Sequence, residues 1–278
     1  MADHAAPSPS IVELIRAGVL DAELAATCWV LIEGRVPLVV AQADPADEAP
    51  ALLDAMLAFL PTTVRGVVLA GPAETFDWLP QASELGWSTP DPDARDLIRP
   101  AAVRPDMTVL IQRGHPWGAE TRIAIRAAAI GYGLLGTVHG DGLDEVLNAL
   151  RRPPVAADDD ELSRLGVVLV VRRVDDGRTR VVAAHYLRPT ARDEHGHVQR
   201  LGPAVLATWD PNRDVHEQFG WGITPELAAR LGCRAGDLEL DIDHRRAFLA
   251  DLAAGSADDA DAAIRAYESI IPAVPTAT

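Results

Sequence analysis

Apolar positions along this chain follow two periods. Behind Ser10 and Glu13, a capping-box pair, Ile11, Leu14, Ile15 and Val19 recur at helical spacing and predict a first helix. A second helix is expected over about 21–33, closed by Gly34. Continuous apolar runs at 36–41 and 64–69 predict two fully buried strands. Between them a helix is expected over about 45–59, with Asp44 as its cap, Pro45 in its first position, and Asp47 and Glu48 in its first turn. A loop-rich, proline-bearing stretch at 71–105 follows. Then strand (107–111), helix (119–130), strand (133–138) and helix (143–150) alternate. That alternation predicts an α/β domain with a mostly parallel sheet flanked by helices.

The second half has a different pattern. Runs at 166–174 and 180–187 are rich in β-branched residues and are joined by Asp175-Asp176-Gly177, which predicts a hairpin. A further strand pair is expected at 204–209 and 217–221, around Asp210-Pro211-Asn212. Thr224-Pro225-Glu226 reads as a helix start with Thr224 as the cap, and a last helix covers about 235–253. The organisation expected is a flexible N-terminus (1–9), one domain (10–254), and a loosely attached Ala/Asp- and Pro/Thr-rich tail (255–278).

Composition narrows the chemistry. The chain has 278 residues and a formal net charge of −16, which disfavours nucleic acid and anionic lipid as partners. All 25 basic residues are arginine, so lysine Schiff bases, lysine general bases and a phosphate-gripping lysine are excluded. Two cysteines, Cys28 and Cys233, are too few for a disulfide framework. No apolar run is long enough to span a bilayer, and Met1 to Ser10 is too polar for a signal peptide. A cytoplasmic location without membrane insertion is the expectation.

Several segments together resemble the P-loop ATPases of secretion and pilus machines: type II secretion, type IV pilus, archaellum and type IV secretion motors. The stretch from Ala124 to Arg152 resembles that family's helix–strand–"T-x-H"–helix element, with Thr137 and His139 at the motif positions. Arg104 to Leu110 resembles the lead-in to its Walker B strand, and the hairpin after Gly166 its closing β-structure. The stretch from Trp209 to Leu249 is most like archaeal-type members, and the whole resemblance runs over about 10–252. It implies a RecA-like P-loop NTPase core, with C-terminal β-hairpins and helices added.

The departures fall on the catalytic motifs. In the register of G-x-x-x-x-G-K-[ST] the chain reads Gln42-Ala43-Asp44-Pro45-Ala46-Asp47-Glu48-Ala49. Both glycines, the lysine and the magnesium-binding hydroxyl are replaced. A P-loop wraps phosphate with backbone N–H groups at a helix N-terminus while lysine and Mg²⁺ neutralise the charge. Here Glu48 takes the lysine position, and Asp44 and Asp47 add negative charge, so these carboxylates are expected to occupy the helix end in place of phosphate. The family's acidic pair falls at Ala70-Gly71, with Glu74 retained nearby, and its Walker B glutamate falls at Gln112.

The resemblance and its losses together imply a catalytically degenerate homologue that needs no cofactor or metal. Such a protein is expected to act as a scaffold or regulator beside an intact secretion ATPase or a membrane platform, in a homo- or hetero-oligomer. The alternative is a subunit that retains ATP and Mg²⁺ through arginines, with Glu74, Gln112 and His139 as residual catalytic groups.

Other clusters read more simply. Asp193-Glu194-His195-Gly196-His197 has the donors of a metal cluster but not a ligand spacing, and reads as a solvated loop. His115 with Trp117 reads as a surface loop, with a ligand contact as the alternative. Asp158-Asp159-Asp160-Glu161 reads as a helix N-terminus, and Arg151-Arg152 as a surface or inter-element salt bridge.

Overall fold

The computed structural model describes residues 8–44, 47–88, 103–113, 116–192, 197–255 and 259–267. The elements run α1 (Ile11–Arg16), α2 (Ala22–Glu33), β1 (Leu38–Gln42), α3 (Ala49–Met56), β2 (Arg65–Val68), β3 (Thr108–Gln112), α4 (Ala119–Ala128), β4 (Gly133–His139), α5 (Leu143–Arg151) and α6 (Asp159–Ser163). They continue as β5 (Val167–Arg173), β6 (Thr179–Tyr186), the two-residue strands β7 (Ala191–Arg192) and β8 (Val198–Gln199), β9 (Ala204–Asp210), β10 (Val215–Gln218), α7 (Thr224–Leu231), α8 (Ala235–Ala254) and α9 (Ala260–Arg265).

Eight strands form one sheet in the order β10-β9-β6-β5-β1-β4-β3-β2. The five strands β5-β1-β4-β3-β2 are parallel. Strands β6, β9 and β10 add on antiparallel through hairpin connections. This is the expected α/β class: a mostly parallel sheet flanked by helices, extended by C-terminal antiparallel strands.

Alternation along β1 divides the core in two. Leu38 and Val40 pack with α1, α2, α3, α7, α8 and α9, while Val39 and Ala41 pack with α4, α5 and α6. Helix α2 begins at the Asp21 cap, whose carboxylate accepts from Leu24 N at 2.8 Å. The Ser10–Glu13 capping box of α1 is formed as expected.

Five local expectations need correction. Strand β2 is not buried: it ends the sheet, and Val68 is 57% exposed. Helix α3 begins at Ala49 rather than at Pro45, for reasons that belong to the site below. Thr224 lies inside α7 with helical backbone angles, its hydroxyl near Gly220 O and Trp221 O, so it is not the cap. The strand pair closes early: β10 ends at Gln218, and Gly220–Ile223 forms a short 3-10 turn. The segment after Gly255 is not loose throughout either. Helix α9 buries Ile264, and Tyr267 packs on Trp29 with ring centroids 5.0 Å apart.

Candidate functional site

In a parallel α/β sheet the connection after each strand chooses a face, and a crevice opens at the carboxyl ends where neighbouring strands choose opposite faces. Here the helix after β1 (α3) covers one face, and the helix after β4 (α5) covers the other. Strands β1 and β4 are neighbours, and Gln42 and His139 are register partners at their ends. The crevice therefore opens over the 42–49 segment that follows β1.

Three backbone donors between β1 and the start of α3, those of Asp44, Asp47 and Ala49, are occupied from within. The Gln42 side chain turns toward α3, and its Oε1 accepts from Ala49 N, the first amide of the helix, at 2.9 Å. Pro50 follows and has no N–H, and Ala51 N donates to Glu48 O at 3.0 Å. Glu48 precedes the helix at φ 64°, ψ 26°, and its carboxylate makes no cap. The carboxylates therefore do not take the helix end, contrary to the sequence expectation: a glutamine from the preceding strand does. Asp47 is buried and serves a different purpose. Its Oδ2 accepts from Asp44 N at 2.9 Å, and its Oδ1 accepts from Arg173 N at 2.8 Å, fastening the loop to the end of β5. That fastening accounts for the late start of α3, because residue 47 is held by the sheet and not by the helix. Pro45 and Ala46 lie outside the described residues.

The opposite side of the crevice is also laced. Gly140 N donates to Gln42 O at 2.9 Å, and Arg172 Nε reaches Asp141 Oδ1 at 2.7 Å, joining the β4–α5 loop to β5. A cavity of about 400 Å³ remains, lined by Gln42, Trp117, Thr137, His139 and Leu150 among others. Trp117 roofs it, donating from Nε1 to Thr137 O at 2.6 Å. Beneath Trp117 the backbone packs so closely that a Cβ on Gly136 would meet Trp117 at 3.2 Å and Gln112 at 3.1 Å.

The three residual candidates occupy the ends of successive strands or the turn beyond them. His139 is exposed at the end of β4. Gln112, at the end of β3, is fully buried on the α4–α5 face, and neither the nitrogen nor the oxygen of its side-chain amide has a partner among the described residues. Glu74 follows β2 and is buried with its carboxylate saturated: Ala70 N, Thr75 N, Phe76 N and Trp78 Nε1 all donate to it at 2.9–3.1 Å. It clasps its own turn, and all four of its partners lie within four residues of it.

Of the other clusters, residues 193–196 and His115 lie outside the described residues. Among the described residues no group of three His, Cys, Asp or Glu could hold a metal ion. Asp158 and Glu161 form the capping box of α6, and Glu161 also receives Arg122 at 3.0 Å and Arg126 at 2.6 Å. Arg151 pairs with Asp159 at 3.0 Å, an inter-element bridge as expected. Cys28 is buried, and desolvation pushes its thiol up to about 12, so it is not a nucleophile.

No protein-family model matches this chain. It is 26% identical over 256 residues to an uncharacterized protein of Methanocaldococcus jannaschii, covering 86% of this chain and 90% of that one. Among solved structures it is similar to the VirB11 ATPase of the Brucella suis type IV secretion system (TM-score 0.40, 18% identity, 67% of this chain) and to the Legionella pneumophila ATPase DotB (TM-score 0.35, 14% identity, 84% of this chain). The chain spans 57% and 58% of those two ATPases. No helix among the described residues is long and apolar enough to cross a membrane.

Proposed function

We propose that this protein is a catalytically degenerate homologue of secretion and pilus motor ATPases that acts by association, as a scaffold or regulatory partner in a secretion or pilus system. The observation that carries the loss of catalysis is the occupied loop. Gln42 takes the first amide of α3, and Asp47 takes the amides of Asp44 and Arg173. A triphosphate needs such donors free and needs a cation beside them; at position 48 there is a glutamate. The link to secretion rests on the motif resemblance around Thr137 and His139. Its partners on this reading are an intact motor ATPase or a membrane platform, in a homo- or hetero-oligomer in the cytoplasm, with no bound cofactor.

The cavity beneath Trp117, with His139 on its wall, favours one second reading: a subunit that still binds ATP and Mg²⁺ there, with Gln112, His139 and Glu74 as residual groups. Thermal melting with and without millimolar Mg-ATP separates the two. A ligand at 100 times its Kd stabilises by about 2.7 kcal/mol, so retained micromolar binding raises Tm by several degrees. The degenerate reading expects no shift, and a rise of several degrees overturns it. Co-purification with the candidate motor ATPase tests the association itself.

A further inference from the structure

A second concavity, remote from the crevice, lies between the start of α2, helix α7 and the first half of α8. It is a groove of about 240 Å³. Buried Leu24, Leu227 and Leu238 form its apolar floor. Three carboxylates, Glu23, Glu239 and Asp243, stand among its lining residues, and so does Trp221. Trp221 is 77% exposed on the 3-10 turn that follows β10, and Gly222 N donates to Phe219 O at 3.1 Å within that turn. The tryptophan is thus presented on a hydrogen-bonded turn, with most of its ring in water.

The charges at this groove are unbalanced. Asp243 has Arg246 at 3.3 Å. The carboxylates of Glu23 and Glu239 have no hydrogen bond or ion pair among the described residues. Burial lifts the Glu23 carboxyl above its ordinary range, Asp21 and Asp243 add to the effect, and Arg246 opposes it. An apolar floor, an exposed tryptophan and uncompensated carboxylates are complementary to a surface that carries cations on an apolar stem. A second copy of this chain does not fit, because two molecules of net charge −16 repel at an acidic contact. Nucleic acid fails for the same reason of sign.

We propose that this groove docks a basic amphipathic helix of a partner protein, with Trp221 packing on its apolar stripe and Glu23 and Glu239 receiving its lysine or arginine side chains. The proposal deepens the association reading and rests on it, by naming the surface and the partner's chemistry. Trp221 is the anchor, because tryptophan dominates contact energies when it passes from water into a closed interface.

The probe is a dye-labelled amphipathic peptide of leucine and lysine, titrated into the full chain and read by fluorescence anisotropy. A leucine–glutamate peptide of the same pattern serves as control. The expected result is saturable binding of the basic peptide alone, weakened about tenfold or more by Trp221→Ala and by Glu23→Gln/Glu239→Gln. Glu84→Gln, an exposed charge on the other face of the sheet, should leave the affinity unchanged. Because this chain has no lysine side chain, carbodiimide coupling to peptide lysines should map to Glu23, Glu239 and Asp243. Equal affinity in all variants, equal binding of the two peptides, or no binding overturns the proposal. A groove that fails these tests while Mg-ATP still leaves Tm unmoved indicts this surface only; a Tm rise with Mg-ATP indicts the degenerate reading, whatever the peptide does.

Discussion

Asp241→Ala is expected to destabilise the protein through a charge it does not itself carry. Arg245 is fully buried in α8, with Asp241 at 3.0 Å one helical turn earlier and Glu33 of α2 at 2.7 Å. Its guanidinium lies 4.6 Å from the Trp29 ring centroid and 5.5 Å from that of Tyr267. Trp29 in turn donates from Nε1 to Glu33 at 2.9 Å. The network joins α2 to α8, the two helices that also line the acidic groove, and holds Tyr267 against them.

Removing one partner of a buried pair costs about 3–5 kcal/mol, because the remaining charge is left desolvated and uncompensated. Glu33 and the aromatic faces stay in place, so the loss belongs at the low end, about 3 kcal/mol. For a chain of this size that lowers Tm by about 6 °C or somewhat more. Differential scanning calorimetry of the variant reads it directly. The double variant Asp241→Leu/Arg245→Met removes the charges together, and should recover most of the loss, since apolar replacements of buried pairs are close to neutral or stabilising. A single variant that melts within about 2 °C of the parent, or a double variant as unstable as the single, would refute the argument that an orphaned buried charge sets the cost.

Two further outcomes follow from local geometry. Gln42→Ala removes the acceptor of the first α3 amide and should cost about 1 kcal/mol, a Tm drop of about 2–3 °C, with no nucleotide-dependent shift appearing in its place. Glu161 is pushed up by burial, but hydrogen bonds from Arg122 and Arg126 outweigh that and hold its carboxyl below its ordinary 4.5. Its folded pKa is depressed, so its stabilisation is present above pH 4.5 and lost as pH falls through the folded value. Glu161→Gln should therefore be about 2 kcal/mol less stable at neutral pH, and the gap should shrink in melts below about pH 4; a pH-independent gap would exclude the ionic origin.

Much of this architecture was legible because its signals are local. The span of α2 with its Gly34 closure, the apolar residues of β1 and β4, and the Asp175-Asp176-Gly177 hairpin each depend on residues a few positions apart. Two of the misreadings involve partners far along the chain. An Asp-Pro pair is a strong helix-start signal, yet Asp47 is held by Arg173, 126 residues away, and the helix waits until Ala49. The 64–69 run reads as buried, but whether a strand is central or at the edge follows from strand order, which no window of sequence contains. The acidic groove draws on α2, α7 and α8 and carries no motif. Its one sequence signal was a tryptophan between two glycines, Gly220-Trp221-Gly222.

On the degenerate reading proposed above, the missing lysine takes on its meaning at the same loop. A lost cation by itself weakens phosphate binding by one charge-assisted contact, about 1.5–3 kcal/mol. Backbone donors here have also acquired acceptors in their own chain: Gln42 for Ala49 N and Asp47 for Asp44 N within the loop, and Asp47 again for Arg173 N at the adjoining end of β5. A phosphate entering here must displace them. Hydrogen bonds to a charged acceptor contribute about 1.5–3 kcal/mol each and neutral ones about 1, so displacing all three costs about 4 kcal/mol even at the low end. At 1.4 kcal/mol per decade that is close to a thousandfold in Kd, before the repulsion from Glu48 is added. Restoring a lysine at position 48 alone would leave that cost in place. Glu48→Lys is therefore expected to remain silent to Mg-ATP in a melt, whereas Gln42→Gly/Asp47→Gly/Glu48→Lys should begin to respond. A response from the single variant would mean that the donors were free all along.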